Sequence, residues 1–244
     1  MPDDDAHGDR RGNGRCAVTR PMPLPAAPAW STADPYAEAL RTGRGPLYLS
    51  CPDGRLLPLD VERWCAQPDP ADRTVLAACG SHVLDVGCGP GRMVTALAAR
   101  GRIVLGIDVN ADAVRRTHAD GGSALVRSVF DRVPREGHWR TALLMDGNIG
   151  IGGDPGALLT RLRHLLRPGG TLIVETTAGP PDRDERLLVR LHDGSRAHGP
   201  HFPWAVLGRD ALERHASAAG WTMSASWTRA GRAFTSLHTP GAPR

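Results

Sequence analysis

Two aspartates flank a glycine bend in this chain, and their spacing is the first sign of chemistry. Val83-Leu84-Asp85-Val86 is a short apolar run holding one carboxylate. Gly87-Cys88-Gly89-Pro90-Gly91 follows at once, and then an apolar-periodic stretch from Arg92. A buried strand that enters such a bend and leaves as a helix presents free backbone N–H groups and lets a ligand approach closely. The dinucleotide fingerprint would require a further glycine at position 92, where Arg92 stands. Asp85 repels a pyrophosphate, whereas an α-ammonium group beside a sulfonium is held by it, directly or through water. The next apolar run, Ile103-Val104-Leu105-Gly106-Ile107, ends in Asp108. A carboxylate there can accept both hydroxyls of an unphosphorylated ribose. Acid, glycine bend and second acid together describe a site for an adenosyl ligand without phosphates.

These residues need rigid elements behind them, and the surrounding pattern supplies an alternation of strands and helices. Residues 83–86, 103–107, 125–129, 142–145 and 171–176 read as strands. Residues 91–100, 111–119 and 155–166 read as helices, the last stopped sharply by Pro168-Gly169-Gly170. Such alternation predicts a parallel sheet covered on both faces. Residues 221–227 and 232–239 flank the short turn Arg229-Ala230-Gly231, which permits only an antiparallel pair. A helix is expected over 208–220 and an inserted hairpin over about 180–207. Near the start, residues 30–41 suggest a helix with Ser31 or Asp34 as N-cap, Pro52-Asp53-Gly54 a hairpin turn, and residues 69–79 a second helix. The expected organisation is therefore a disordered tail over 1–28, a cap over 29–79 and the main domain over 80–240.

The run from Val83 to Gly91, followed by Gly106-Ile107-Asp108-Val109, resembles the first two motifs of class I S-adenosylmethionine-dependent methyltransferases. Leu165-Leu166-Arg167-Pro168-Gly169-Gly170-Thr171-Leu172-Ile173-Val174 is similar to that family's approach to its fifth strand. The resemblance covers roughly residues 74–177. It implies a doubly wound α/β fold with a seven-stranded, mostly parallel sheet and an antiparallel last strand. It also implies S-adenosylmethionine as cofactor and a small-molecule methyl acceptor, secondary metabolism being one setting. Carried over by position, Asp85, Gly87, Cys88, Gly89 and Gly91 would line the methionine part. Asp108 would hold the ribose and Val109 would pack on the adenine. Ser128-Val129-Phe130-Asp131 departs from the family's usual text, so Phe130 and Asp131 read either as adenine contacts or as surface loop. Asp146 and Asn148 fall where cofactor and acceptor would meet, or simply initiate a turn.

Composition narrows the alternatives. The 244-residue chain has 30 basic residues, every one an arginine. Without lysine there is no Walker-type phosphate loop, no Schiff base and no lysine general base. A formal charge of +4, with arginines scattered rather than clustered, gives little reason to expect a nucleic-acid partner. A nucleic-acid methyltransferase is opposed further by Asp146-Gly147-Asn148-Ile149, which stands where base-amino methylating relatives carry Asn/Asp-Pro-Pro-aromatic. A non-catalytic S-adenosylmethionine-binding scaffold is the alternative from another class. Cys16, Cys51, Cys65, Cys79 and Cys88 have no disulfide or zinc spacing, so no metal is expected. The start lacks a secretory apolar core and no stretch is long enough to span a bilayer, which points to the cytoplasm and no membrane partner. His192, His198 and His201 are loop histidines that could supply a base, bind metal or merely face solvent, and the nearby Phe202 and Trp204 could line an acceptor pocket or anchor the hairpin to the core. Methyl transfer mainly needs alignment and water exclusion, so no general base is assigned.

Overall fold

The computed structural model describes residues 35–239 and 241. The expected tail over 1–28, the N-cap candidates Ser31 and Asp34, and Cys16 lie outside the described residues. In chain order the elements are α1 (Pro35–Thr42), β1 (Tyr48–Ser50), β2 (Leu56–Pro58), α2 (Val61–Cys65), α3 (Pro70–Ala78) and β3 (His82–Val86). Next come α4 (Arg92–Ala98), β4 (Ile103–Asp108), α5 (Ala111–Ala119), β5 (Ala124–Val126) and β6 (Trp139–Leu144). A glycine-rich turn segment, Asn148–Gly153, leads to α6 (Pro155–Leu165), β7 (Leu166–Thr176), β8 (Asp184–His192) and β9 (Ala197–Leu207). The chain ends with α7 (Arg209–Ala218), β10 (Thr222–Arg229) and β11 (Arg232–His238).

The larger sheet has the order β10-β11-β7-β6-β3-β4-β5. β7, β6, β3, β4 and β5 run parallel, β11 is antiparallel to β7, and β10 is antiparallel to β11. Period-two alternation sends successive side chains to opposite faces. Leu84 and Val86 join Leu144, Leu158 and Trp221 on one side, while Val83 joins Leu143, Val75 of α3 and Met93 of α4 on the other. The chain moves outward from β3 to β4 and β5, then returns past β3 to β6 and β7. The strand order therefore reverses beside β3, and the crevice at the carboxyl ends there is where open α/β sheets bind ligands.

Local chemistry explains where the helices start. Asp69 Oδ1 accepts from the N–H groups of Ala71 and Asp72, and Asp72 returns a carboxylate to the Asp69 N–H, so α3 begins in a reciprocal capping box with Pro70 in its first turn. Asn110 Oδ1 caps α5 and Asp154 caps α6.

The expected hairpins around Pro52-Asp53-Gly54 and over about 180–207 both form, but they are one structure. β1 pairs with β2 on one edge and with β8 on the other, giving an antiparallel sheet β2-β1-β8-β9. A lone hairpin is marginal in water, and the shared core of Leu47, Leu49, Val61, Val189 and Phe202 gives the four strands a common buried face. Two further departures concern the site. The strand expected over 125–129 stops at Val126, because the Arg127 N–H closes on Asp108 O and the next residues turn toward the crevice. α2, which sequence periodicity does not reveal, is a short helix capped by Asp60.

Candidate active site

At the carboxyl ends of β3, β4, β5 and β6 lies a cavity of about 810 Å³. Its floor is the glycine bend. Gly87 and Cys88 both donate their N–H groups to Ile107 O, which ties the bend to the end of β4. Gly87 has φ +70°, and a Cβ there would stand 2.5 Å from Asn148 Nδ2, whose amide donates to the carbonyls of Val86 and Gly87. Only glycine fits. A Cβ on Gly89 would meet nothing nearer than the Tyr36 hydroxyl at 3.7 Å, so this part of the backbone is open to a ligand.

Asp108 is 8% exposed and splits its carboxylate between two backbone donors: Oδ2 accepts from Gly89 N at 2.9 Å and Oδ1 from Asn110 N at 2.9 Å. Burial raises its pKa, opposed by the N–H groups of Asn110, Gly89 and Val109. Each oxygen keeps a lone pair for a further donor. Asn110 Nδ2, in a residue that also lines the cavity, is buried without a hydrogen-bond partner among the described residues. Asp85 is 2% exposed and makes no hydrogen bond or ion pair among the described residues. Burial lifts its pKa to about 7, the nearby Arg92 cation pulling it down and Asp146, Asp108 and Asp72 pushing it up.

Behind Asp85 runs an ion network that the sequence does not announce. Arg92 reaches Asp72 at 2.9 Å and Asp146 at 2.8 Å, with its side chain 4% exposed. Arg63 reaches the other oxygen of Asp146 at 2.9 Å. Arg232 bonds Asp72 and Asp69 and grips Glu175 with two nitrogens, each at 2.7 Å. Asp146 has φ +55°, held there by its own N–H donating to Glu175 and by the two arginines on its carboxylate. Burial raises its pKa, against the pull of Arg92. Three guanidinium groups thus face Asp69, Asp72, Asp85, Asp146 and Glu175, so with every carboxylate ionised the cluster is short of positive charge.

Asp85, Gly87, Cys88, Gly89, Asp108, Val109, Phe130, Asp131 and Asp146 all line this one cavity, and Asn148 does so too. Gly91 does not: at φ +86° it turns toward α5, where a Cβ would stand 2.6 Å from Thr117. The Cys88 thiol is buried, its pKa pushed well up by desolvation. His201 lines the cavity, whereas His192 packs edge-on against Tyr48 and His198 bonds Asp193 in the β8–β9 turn. Among the described residues no group of three or more His, Cys, Asp or Glu is placed to hold a metal ion, and no helix is long and apolar enough to cross a membrane.

Sequence reasoning missed Tyr36, Trp64, Arg63 and Asn110 as part of the cavity wall or its support, and left Trp204 between an acceptor-pocket wall and a packing anchor. The run Gly147-Asn148-Ile149-Gly150-Ile151-Gly152-Gly153 was the available signal for Trp204. A Cβ on Gly150 would meet the Trp204 ring at 2.6 Å, and one on Gly153 would meet Pro203, so these glycines mark where β9 lies on the core.

The chain is similar to several known proteins. A methyltransferase-domain family model matches residues 62–226. A trans-aconitate 2-methyltransferase of Paracidovorax citrulli is 30% identical over 139 residues, 55% of this chain and 49% of that protein. A ubiquinone biosynthesis O-methyltransferase of Xylella fastidiosa is 32% identical over 103 residues, 40% of this chain and 42% of that protein. The chain thus spans about half the length of the curated relatives it matches. Among solved structures, an S-adenosylmethionine-dependent methyltransferase from Bacteroides fragilis, in complex with S-adenosylhomocysteine, superposes with a TM-score of 0.68. It is 21% identical and covers 84% of this chain and 92% of that one. At that identity the likeness concerns the doubly wound fold.

Proposed function

The chain belongs to the methyltransferase-domain family, and from that premise we propose that it binds S-adenosylmethionine in the crevice at β3 and β4 and methylates a small-molecule acceptor. The observation that carries this reading is the charge of the cavity. Four carboxylates, Asp85, Asp108, Asp131 and Asp146, line it against two arginines, and Arg92 is already held by Asp72 and Asp146. A phosphate-bearing nucleotide is repelled here, whereas a cationic adenosyl compound meets the missing charge. The donor set fits as well: Asp108 keeps lone pairs for ribose hydroxyls, Gly89 leaves its space open, and Asn110 Nδ2 is a donor awaiting an acceptor.

When bound, S-adenosylmethionine supplies a methyl carbon on a sulfonium, to which an acceptor lone pair bonds as the carbon–sulfur pair returns to sulfur. The protein's share is alignment and exclusion of water. Asp108 fixes the sugar end and, through Gly89 N, sets the position of the glycine bend at the same time. Asp85, near pKa 7 in the free protein, ionises when an ammonium group approaches. Arg92 and Arg63 hold Asp146 at the mouth of β6, and α1, α2 and β9 close the cavity from the side of the smaller sheet. A proton released by a hydroxyl acceptor would find His201 Nε2 or Nδ1 on the same wall.

The test is calorimetric titration with S-adenosylhomocysteine. Wild-type protein should bind it, and Asp108→Ala should weaken binding by about 100-fold through loss of a charged hydrogen-bond acceptor. Equal affinity in the two proteins would overturn the proposal, as would preferential binding of NAD.

A further inference from the structure

The cavity is larger than its acidic floor, and the remainder is walled by the smaller sheet. Tyr36, Leu49 and Trp64 come from α1, β1 and α2, Phe202 and Trp204 from β9, and Ile151 from the glycine-rich turn opposite. The Tyr36 and Trp64 rings sit 6.2 Å apart and tilted, and Phe202 meets Trp204 edge-on at 6.4 Å. Aromatic walls of this kind favour flat, polarisable occupants.

Charge then decides among small molecules. Arg63 and Arg92 border this chamber, yet both are committed to Asp146. Arg127, the other lining arginine, follows β5, three strands from β6 and beside Asp108. Among the described residues no arginine is therefore placed to receive a carboxylate or phosphate on the acceptor, and the carboxylates of the floor would repel one. An ammonium acceptor is disfavoured for another reason. Trp64 lines the chamber, and its Nε1 is buried with no hydrogen-bond partner among the described residues. An indole N–H donates and never accepts, so it is satisfied by an oxygen or a ring nitrogen, which an ammonium group cannot supply.

We propose that this chamber takes an uncharged planar aromatic acceptor, stacked on Trp64 and Trp204 and offering an oxygen to the Trp64 indole. The inference rests on the methyl-transfer reading above and gives its acceptor class. The ring hydroxyl is the nucleophile: its oxygen bonds the methyl carbon, the carbon–sulfur pair stays on sulfur, and the hydroxyl proton leaves to His201 or solvent.

Calorimetry on the full chain tests it in two stages. S-adenosylhomocysteine is titrated first, and failure to bind overturns the methyl-transfer reading together with this inference. The saturated complex is then titrated with naphthol, trans-aconitate and putrescine as an uncharged aromatic, an anionic and a cationic probe. Naphthol should bind at least about tenfold more tightly than either charged probe. Trp204→Ala should weaken naphthol by about tenfold or more while S-adenosylhomocysteine affinity stays within about twofold. Trp64→Phe keeps an aromatic face but removes the N–H together with part of the ring area, and should weaken naphthol by about threefold or more. Tighter binding of trans-aconitate or putrescine, no binding by any probe, or naphthol binding unchanged in both variants overturns the assignment.

Discussion

On the β3–β4 side of the cavity, backbone geometry fixes the polar groups. The N–H groups of Gly87 and Cys88 share one carbonyl, Asp108 bridges Gly89 and Asn110, and Gly87 admits no side chain. On the side of the smaller sheet, the wall consists of side chains alone, with rings from α1, α2 and β9 drawn together from distant parts of the chain. The first construction suits a ligand that does not vary, because main-chain groups cannot be changed by substitution. The second suits a ligand that differs between relatives, because a single ring can be exchanged without moving a strand. The two regions should therefore respond differently to mutation, in stability on one side and in selectivity on the other.

The largest effect should come from Arg92. Its guanidinium lies between Asp72, which is fully buried, and Asp146. Arg92→Met takes one cation from each of two buried carboxylates, leaving Asp72 with Arg232 and Asp146 with Arg63 in a cluster already short of positive charge, a loss of about 3 kcal/mol. For a domain of this size the thermal midpoint should fall by roughly 10 °C in a circular-dichroism melt. An unchanged midpoint would mean that the network is dispensable and that the floor is not the rigid half.

Gly87→Ala follows. The new Cβ would require φ +70° in a residue that avoids it and would displace the Asn148 amide from Val86 O and Gly87 O. A cost of about 2 kcal/mol is expected, read both in the melt and as weaker S-adenosylhomocysteine binding. The same substitution at Gly54, where a Cβ meets nothing within 4 Å, carries the backbone cost without the displaced amide and should leave ligand affinity unchanged.

These contrasts also explain what could be read from the chain beforehand. Asp85, Gly87 and Asp108 were legible because strand, bend and helix are contiguous, so local spacing encodes their geometry. The terminal antiparallel pair was legible because so short a connection, two residues between Arg229 and Arg232, leaves no alternative. The network of Asp72, Arg92, Asp146, Glu175 and Arg232 was not, since it gathers α3, α4, β7, β11 and the turn after β6, and no local pattern encodes a meeting of five segments. Nor could the pairing of Leu49 with Leu191 be inferred, because two hairpins far apart in sequence look self-sufficient until their shared buried face is seen.

Asp85 yields a pH prediction of intermediate size. Its pKa stands near 7 in the free protein, well above the ordinary aspartate value, because burial disfavours the charge. The folded state therefore holds a proton that the unfolded chain has already lost between about pH 4 and 7. This group's contribution to stability is fully present below pH 4 and is lost as pH rises through 7. Ligand binding has the opposite slope, since an ammonium group needs the ionised form. Below pH 7, affinity for S-adenosylhomocysteine should fall by about tenfold per pH unit, and Asp85→Asn should flatten that slope. A wild-type profile flat from pH 5.5 to 8 would remove Asp85 from the ammonium site.

Arg63 gives the smallest effect and the sharpest comparison, because it stands on α2 while its partner Asp146 belongs to the floor. With a side chain 26% exposed, it contributes far less than Arg92, and Asp146 keeps Arg92 when it is removed. Arg63→Met should lower the midpoint by no more than about 3 °C and leave S-adenosylhomocysteine affinity within about twofold. What should change is the attachment of the smaller sheet. Trypsin cleavage at Arg44 and Arg55, both exposed around β1 and β2, should quicken in the variant. A midpoint drop as large as that of Arg92→Met would show instead that cap and floor melt as one unit, and the division between a fixed half and an exchangeable half would have to be given up.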